Sequence, residues 1–336
     1  MQKVGLIGAG WIAPFHWAAL EQLRERGRVV WVADPDASRG KQIAERAGAQ
    51  FLIDYRQALN QVDCAFVLVP HHLHYSVTLD CLRAGLHVLL EKPMANTLDQ
   101  IDEMISVAEQ SGKTLMIAYP HRYREGFKVF KKILDENRYG KLISMDSFMD
   151  ETVEGYIAPW MTKVATLGGG CLFSASGHML DIMLWICGDV RAAHMVGTRG
   201  RVAMEGEDTA TCIIKFRNGV IGTVRHTWAS PKPRIWYTMN AMCEKAYVTL
   251  TTTPLGNATT EGPGCKWQTR ITSYGAQEEI LFENDQGLDL KPEVEHFFTC
   301  VETGGRPNTD GMAARKLTQL VLGAYDGARK EGANVF

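Results

Sequence analysis

The chain has 336 residues, enough for two domains of ordinary size, and its 46% apolar and 22% charged residues are typical of a soluble globular protein. Its formal charge of -2 offers no basic field for a phosphate backbone, which excludes nucleic acid as an expected partner. No run approaches the ~20 consecutive apolar residues of a membrane span, and no signal-peptide pattern opens the chain. We therefore expect a cytoplasmic protein without a membrane partner, whose 8 cysteines are reduced thiols outside any CxxC pair.

The first residues predict a dinucleotide-binding βαβ unit. Residues 2–8 read as a buried strand, WIAPFHWAALEQLRER as a helix, and VVWVADPD as a second strand that ends at Asp34. Gly8, Gly10 and Ala13 form a Gly-x-Gly-x-x-Ala turn between the first strand and the helix. In such a turn the first glycine permits the tight bend, the second admits a pyrophosphate, and the small third residue allows close packing of helix on strand. The helix N-terminus then offers N–H groups to the phosphates.

Asp34 indicates which coenzyme the turn accepts. It lies 21 residues after Ala13, close to the ~20 expected for the acid that binds the adenosine ribose. Its carboxylate can accept both ribose hydroxyls of NAD and repels the 2′-phosphate of NADP. Arg39, one helical turn further on, softens that repulsion and joins the expected cofactor-binding set together with Trp11 and Ile12. The sequence therefore favours NAD, with NADP as the less favoured coenzyme.

Strands and helices continue to alternate in the first third of the chain. We predict helices over 36–47, 55–60, 73–84 and 98–111, and strands over 64–70, 87–93 and 114–119. This alternation indicates an α/β domain with a parallel sheet covered by helices on both faces. Ligands bind such sheets at the carboxyl ends of the strands.

Polar residues follow two of these strands where each one ends. Pro70, His71 and His74 follow one strand, and Glu91 and Lys92 follow another. The HHLH run has no nearby Cys or acidic partner to complete a zinc set, so we expect no metal site. We expect all five residues to line the cofactor pocket, with a helix cap as the alternative role for the two histidines.

Three stretches resemble, in order and spacing, the Gfo/Idh/MocA family, which includes glucose-fructose oxidoreductase and inositol dehydrogenase. They are GLIGAGWIA, VLVPHHLHYSVTLDCLRAGLHVLLEKPMANT and GGGCLFSASGHMLDIMLWICG. The resemblance covers nearly the whole chain. It implies a Rossmann dinucleotide-binding domain followed by an α+β domain with a large open, mostly antiparallel sheet. It also implies redox chemistry at a secondary alcohol or carbonyl of sugars and cyclitols with NAD(P), and a homodimer or homotetramer.

On this reading, residues 1–120 form the NAD(P)-binding Rossmann domain and residues 121–336 the domain for substrate binding and oligomerisation. Strand-like runs dominate from about residue 143, and Asn218-Gly219 predicts a two-residue hairpin turn between two of them. The polar, Gly/Pro-rich stretch that follows these strands, at 251–264, reads as a loop. Helices near 290–303 and 309–330 close the predicted domain.

Lys92 is the first candidate for catalysis. A carbinol dehydrogenase must remove the hydroxyl proton, and a partly desolvated lysine beside a positively charged nicotinamide releases its own proton readily. Pro93 would hold the turn after the strand so that Lys92 points into the site. Within the Glu91-Lys92-Pro93 tripeptide we expect Lys92 to act as acid or base and to contact substrate; the alternative is a surface lysine at a strand end.

His178 is the second candidate. In the family, the matching histidine contacts the reacting oxygen and can act as acid or base. His178 and Asp181 lie at i and i+3 on one helix face, so Asp181 either orients His178 or caps and stabilises the helix. The alternative for His178 is a hydrogen-bonded histidine within a core helix.

One position departs from the family pattern. Many members that oxidise sugars or cyclitols carry an aspartate four residues before the histidine, where this chain has Ser174. Three consequences stay open: His178 acts with Lys92 alone, Ser174 relays a proton, or the protein does not perform ordinary inositol-type oxidation.

The expected substrate-binding set is completed by residues chosen by position: Arg122, Tyr156 and Trp160, together with Lys92, Ser174 and His178. Aromatic faces suit the apolar side of a sugar ring, and an arginine suits its hydroxyls. Hinge packing is the alternative for Tyr156 and Trp160.

The leading hypothesis is therefore an NAD(P)-dependent dehydrogenase or reductase that acts on a CH–OH group of a sugar, sugar derivative or cyclitol. One alternative is an NAD-dependent glycoside hydrolase or lyase that oxidises its substrate transiently. Another is a non-catalytic, nucleotide-binding sugar sensor. The presence of Lys92 and His178 argues against a sensor, because a sensor needs neither.

Overall fold

The computed structural model describes residues 1–153, 157–232, 236–256 and 265–330. The chain divides into two compact units, each made of an early and a late segment: Met1–Pro120 with Asp289–Arg315, and His121–Leu288 with Lys316–Phe336. Within the described ranges, no single helix has the length and apolar composition needed to cross a membrane; one bent helix pair, Val164–Ser174 with Gly177–Cys187, meets that test jointly.

The first unit is built on a six-stranded sheet. Its strands are β1 (Gln2–Ile7), β2 (Gly27–Ala33), β3 (Gln50–Leu52), β4 (Cys64–Val67), β5 (His87–Glu91) and β6 (Leu115–Ala118). Its first four α-helices are α1 (Ala13–Gln22), α2 (Ala37–Ala47), α3 (His71–Arg83) and α4 (Leu98–Ser111). The strand order β3-β2-β1-β4-β5-β6 is parallel throughout. The predicted Rossmann fold is confirmed, and the carboxyl ends of β1, β2, β4 and β5 meet at one edge of the sheet.

Local signals set the bounds of α4, which match the predicted range 98–111. Thr97 precedes the helix, and its hydroxyl oxygen accepts the backbone N–H of Gln100 at 3.3 Å. Gly112 follows the last residue with φ 63, a left-handed conformation that glycine adopts without steric cost. A side-chain cap at one end and a glycine stop at the other explain why periodicity located this helix so well.

The second unit contains an eight-stranded sheet. Its strands are β7 (Leu142–Asp150), β8 (Val190–Thr198), β9 (Thr209–Phe216), β10 (Ile221–Thr227), β11 (Tyr237–Cys243), β12 (Tyr247–Pro254), β13 (Lys266–Tyr274) and β14 (Glu278–Gly287). The helices between or before these strands include α5 (Glu125–Asp135), α6 (Val164–Leu167), α7 (Cys171–Ser174) and α8 (Gly177–Cys187). The order is β14-β13-β12-β11-β7-β10-β9-β8, and every pair is antiparallel except β7 with β10. The expected large, mostly antiparallel sheet is confirmed.

Two details of this sheet differ from the prediction. The β9–β10 hairpin has a three-residue loop, because Phe216 pairs with Val220 and Gly219 adopts φ 97. The prediction of a two-residue turn was wrong: the glycine occupies the left-handed position that ends a three-residue hairpin loop. Strand β12 continues to Pro254, so the first part of the predicted loop 251–264 is a strand, and its residues 257–264 lie outside the described residues.

A late segment of the chain belongs to the first unit, which corrects the predicted domain assignment. Helix α9 (Lys291–Thr303) packs on α1. The next helix, α10 (Gly311–Lys330), begins in the first unit, and from Lys316 onward it belongs to the second. Phe297 and Phe298 lie with ring centroids 5.6 Å and 6.5 Å from that of Phe66 in β4. A Cβ at Gly27 would lie 2.3 Å from the Phe298 ring, so the first residue of β2 must be small to admit it. This aromatic packing is long-range in sequence, and no local pattern indicates it.

Candidate active site

The turn between β1 and α1 has the geometry of a pyrophosphate cradle. Gly8 has φ 101, and a Cβ there would lie 2.4 Å from the carbonyl oxygen of Leu68. A Cβ at Gly10 would meet nothing within 4 Å, so the backbone at this position faces open space. Ala13 is fully buried where α1 begins. The turn therefore requires glycine at position 8 and leaves room beside position 10 that any larger side chain would fill, which fits a dinucleotide.

Asp34 connects the end of β2 to this turn. Its Oδ2 accepts the backbone N–H of Ala9 at 2.7 Å, and its Oδ1 accepts the N–H of Asp36 at 2.7 Å. The residue is 5% exposed. The guanidinium of Arg39 lies 3.5 Å from Oδ1 of Asp34 and 3.2 Å from a carboxylate oxygen of Asp36. The acid expected to bind the ribose and its neighbouring cation thus both lie beside the glycine turn.

Four other residues expected to bind the cofactor lie at or just before helix starts. Trp11 is 51% exposed, and its ring centroid lies 5.2 Å from that of Phe15. Ile12 is the residue that precedes α1, and Pro70 is the residue that precedes α3. His71 is buried in the first turn of α3.

The Glu91-Lys92-Pro93 turn after β5 is held through the residues on either side of the lysine. His16, fully buried on α1, contacts Oε1 of Glu91 through Nε2 at 2.8 Å. The other oxygen, Oε2, accepts the backbone N–H of Lys92 at 3.3 Å. Burial alone would raise the pKa of Glu91, but His16, Lys92 and His74 outweigh it and hold that pKa below its usual value. Glu91 is therefore an ionised side chain that fixes the turn.

His74 lies on the other side of this turn. Its Nδ1 is 2.6 Å from the carbonyl oxygen of Pro93, and its Nε2 is 2.8 Å from the carbonyl oxygen of Val69. The side chain is fully buried, and burial lowers its pKa more than the two carbonyls raise it. The peptide between Lys92 and Pro93 is cis. Because both ring nitrogens face backbone carbonyls, His74 contacts the loops that line the strand ends and presents no nitrogen to a metal.

In the second unit, His178 belongs to a group of aromatic rings. It lies near the start of α8, and its ring stacks on that of His121 with a centroid distance of 4.9 Å and an interplanar angle of 15°. The His121 ring lies 5.1 Å from that of Tyr237, whose hydroxyl oxygen accepts a hydrogen bond from Arg124 at 2.7 Å. His121 is 3% exposed, and His178 is half-buried. His178, the candidate predicted from the sequence, is thus the more exposed ring of the stack.

Asp181 forms a buried ion pair with Arg122. The guanidinium donates two hydrogen bonds to the carboxylate, from Nε at 2.7 Å and from an Nη at 2.6 Å. Arg122 is 9% exposed and Asp181 is 1% exposed. Burial raises the pKa of Asp181, and the arginine opposes that rise. The sequence suggested that Asp181 orients His178 or caps the helix, and it did not predict the ion pair with Arg122.

A second set of buried polar contacts anchors the segment that leads into α8. Ser176 Oγ lies 2.9 Å from Nδ1 of His226, and Nε2 of His226 lies 3.0 Å from a carboxylate oxygen of Glu151. Ser174 is buried as the last residue of α7. Trp160 is half-buried, and its carbonyl accepts the Thr166 hydroxyl at 2.6 Å. The Ser176–His226 contact therefore connects the start of α8 to strand β10. Tyr156, also expected to bind substrate, lies outside the described residues.

Glu207 supports the glycine-rich turn before α7. Its Oε1 accepts the Tyr325 hydroxyl at 2.8 Å and the backbone N–H of Leu172 at 3.0 Å. A Cβ at Gly170 would lie 2.3 Å from Oε2, so the carboxylate fits only because this residue is glycine. Burial raises the pKa of Glu207 to about 7, although Tyr325 and the backbone donors lower it. This carboxyl group changes its charge near neutral pH.

Comparison with known families gives a match in each half of the chain. The model for the Gfo/Idh/MocA oxidoreductase family with an NAD-binding Rossmann fold matches residues 2–119. The model for the Gfo/Idh/MocA C-terminal domain matches residues 127–249. The chain belongs to the Gfo/Idh/MocA family. Its first domain is an NAD-binding Rossmann domain, as the glycine turn and Asp34 indicated.

Individual relatives of this Gfo/Idh/MocA protein include named sugar enzymes. The 1,5-anhydro-D-fructose reductase of Ensifer adhaerens is 29% identical over 66% of this chain and 68% of its own length. The D-apiose dehydrogenase of Paraburkholderia graminis is 24% identical over 99% of this chain and 89% of its own length. The crystal structure of the WlbA dehydrogenase from Bordetella pertussis, a complex with NADH and UDP-GlcNAcA, aligns with a TM-score of 0.82. That alignment has 21% identity over 98% of this chain and 97% of that one, and shows a shared fold.

Sequence reasoning missed several residues that this Gfo/Idh/MocA protein gathers around the candidates. His16 contacts Glu91 across 75 residues of sequence, and His121 stacks on His178. Tyr237 lies against the His121 ring, and Glu207 supports the glycine-rich turn. One signal was available for His16: it lies three residues after Ala13, on the face of α1 that packs on the sheet. The partners of His178 come from separate strands and loops, and no sequence spacing relates them.

Proposed function

We propose that this protein is an NAD-dependent oxidoreductase that transfers a hydride between nicotinamide and a secondary alcohol or ketone of a sugar, sugar derivative or cyclitol. One observation carries the proposal: the dinucleotide turn and the Glu91-Lys92-Pro93 turn stand at the same carboxyl edge of one parallel sheet. In such sheets this edge is where ligands bind. The names of the Ensifer and Paraburkholderia relatives, a reductase and a dehydrogenase of sugars, support the substrate class.

Lys92 is proposed as the acid or base of the reaction. It exchanges a proton with the reacting oxygen. Its backbone N–H donates to Glu91, and the carbonyl of the next residue, Pro93, contacts His74. His178 is proposed as a second acid or base, because it is the half-buried ring of its stack and can donate or accept a proton. Arg122, Ser174, Trp160 and Tyr156 are retained as proposed substrate contacts.

NAD is proposed as the preferred coenzyme. The carboxylate of Asp34 is fixed beside the glycine turn by the N–H groups of Ala9 and Asp36, with lone pairs left to accept ribose hydroxyls. A 2′-phosphate would meet the same anion. Arg39 offers a competing attraction for that phosphate, but its guanidinium is shared between Asp34 and Asp36. Because the carboxylates of Asp34 and Asp36 together outweigh the charge of the Arg39 guanidinium, the site favours NAD, whose ribose carries no 2′-phosphate.

We further propose that the protein is cytoplasmic and assembles as a homodimer or homotetramer. One face of the eight-stranded sheet exposes apolar side chains in two groups of neighbouring strands, β8-β9-β10 and β12-β13-β14: Val196, Ile213, Ile221, Tyr247, Tyr274 and Ile280. An apolar patch of this kind is typical of an interface between subunits. Light scattering of the purified protein would measure the assembly, and a monomer at micromolar concentration would contradict it.

The function is tested by incubating the protein with a panel of sugars, cyclitols and keto-sugars and following NADH and NADPH absorbance. We expect at least one substrate to give coenzyme turnover that depends on protein concentration. Cleavage of a glycoside with no net coenzyme change would instead indicate the hydrolase or lyase alternative. Saturable coenzyme and sugar binding without any product would indicate a sensor.

A further inference from the structure

We propose that His74 is a positioning residue for Lys92. The sequence placed His74 in the cofactor pocket or at a helix cap, but its ring lies fully buried between two backbone carbonyls. It acts on the turn that carries the lysine and does not itself touch substrate. This inference rests on the proposed catalytic role of Lys92.

The two carbonyls that His74 contacts occupy equivalent places in the sheet. Val69 lies two residues after the end of β4, and Pro93 lies two residues after the end of β5. These strands are parallel neighbours, with Val67 paired to Leu90. The imidazole therefore spans the gap between two adjacent strand ends, at the edge where a dinucleotide-binding sheet receives its ligand.

The contact between His74 and the Pro93 carbonyl follows the lysine in the chain, and a second contact precedes it. Glu91 is held by His16 from α1 and in turn accepts the Lys92 backbone N–H. Each chain neighbour of Lys92 is thus held by a buried histidine, Glu91 by His16 and Pro93 by His74. Both histidines, His16 and His74, are 0% exposed. Fixing both neighbours sets the direction of the Lys92 Cα–Cβ bond.

A matched pair of substitutions separates the two contacts of His74. The amide nitrogen of asparagine can replace Nδ1 of a histidine, and the amide nitrogen of glutamine can replace Nε2. His74→Asn therefore keeps a donor toward Pro93 and none toward Val69, whereas His74→Gln does the reverse. A neutral imidazole donates from only one ring nitrogen, so the two variants can differ in stability as well, and urea unfolding measures that difference separately. A role confined to stability would lower the free energy of unfolding and leave kcat of the folded variants unchanged.

We expect His74→Asn to keep kcat within about threefold of the parent and His74→Gln to lose ~10²-fold in kcat, the cost of a displaced catalytic group. KM and the dissociation constant for NAD should change little in both variants. Equal losses of kcat in the two variants, or a loss that appears only in coenzyme affinity, would overturn the proposal. Lys92→Met is assayed in parallel: full activity there would remove Lys92 from the mechanism, a failure of the proposed function that is separate from the outcome of the His74 pair.

A measurement on the unsubstituted protein covers the case in which neither variant folds. Nuclear magnetic resonance of protein labelled with ¹⁵N-histidine reports which ring nitrogen carries a proton. We expect the buried, exchange-protected ring that contacts Pro93 to be protonated at Nδ1 both with and without NAD. A ring protonated at Nε2 alone could not donate to Pro93, and that result would also overturn the proposal.

Discussion

The carboxylate of Asp34 accepts the backbone N–H of Ala9 at 2.7 Å, so the acid that ends β2 and the glycine turn that follows β1 form one hydrogen-bonded unit. The residue expected to select the coenzyme therefore also shapes the turn expected to bind it. Any substitution of Asp34 acts on both. The ratio of the affinities for the two coenzymes isolates the effect on ribose recognition, because a distorted turn weakens both coenzymes alike.

Asp34→Ala should weaken NAD binding and lower the preference for NAD over NADP by at least about tenfold, equivalent to roughly 1.4 kcal/mol. The physical reason is the loss of an acceptor for the ribose hydroxyls together with the loss of an anion that repels a phosphate. Calorimetric titration with each coenzyme measures the change. Arg39→Ala is the matched control, and it should weaken NADP while leaving NAD nearly unchanged. An unchanged ratio in Asp34→Ala would refute the assignment.

Lys92→Met should reduce kcat by ~10²–10⁴, the usual contribution of an acid or base group. Methionine keeps much of the length and apolar stem of lysine but cannot exchange a proton. Steady-state assays on the substrate found in the panel, with NAD affinity measured separately, give the result. Lys128→Met, at an exposed position on α5, controls for the loss of a lysine elsewhere. Turnover near that of the parent would exclude Lys92 as the acid or base.

Arg122→Met should destabilise the protein by ~3–5 kcal/mol, because it leaves the Asp181 carboxylate buried without its partner. The double variant Arg122→Met/Asp181→Leu should recover most of that loss, since it removes both charges. Urea unfolding measures the stabilities. Arg122 was also expected to bind substrate: a double variant that is stable but has a raised KM would support that role, whereas one with normal kinetics would leave the arginine a structural role only.

Glu207 should make the stability depend on pH around neutrality. Its pKa is raised by burial from an ordinary 4.5 to about 7, so the folded state disfavours the ionised form. The contribution of Glu207 to stability is therefore fully present below pH 4.5 and is lost as the pH rises to about 7, with a total of ~3 kcal/mol.

Glu207→Gln cannot ionise, so its stability relative to the parent should increase by about that amount between pH 4.5 and pH 8. Urea unfolding of both proteins at several pH values gives this difference, in which the contributions of all other groups cancel. A difference that stays constant over the range would show that Glu207 has the same pKa in the folded and unfolded chain.

The parts of the fold that sequence reasoning predicted are those determined by residues close together in the chain. Gly8, Gly10 and Ala13 span six residues, and each has a distinct steric task in one turn. The sequence did not predict contacts that depend on the whole fold. Arg122 and Asp181 are 59 residues apart, and no periodicity pairs them.

The roles of single polar residues were harder to predict than the elements that carry them. The sequence located His74 at the correct edge of the sheet, but the direction of its ring depends on Val69 and Pro93, which belong to two different loops. Likewise, the late segment of the first unit was misassigned because α9 is placed by Phe66 and by the space at Gly27. Shape complementarity of this kind appears only when the strands are assembled.

The return of α9 to the first sheet limits which segments of this protein can be exchanged with those of a relative. In a chimera that takes residues 1–120 from a relative, the donor's residues at positions 27 and 66 would pack against Phe298 of this protein. A donor with any larger residue at position 27 would collide with that ring, so a graft meant to transfer coenzyme preference must carry both stretches of chain. Chimeras made from the leading segment alone should be recovered mainly in insoluble form, and those that include residues 289–315 should be recovered folded.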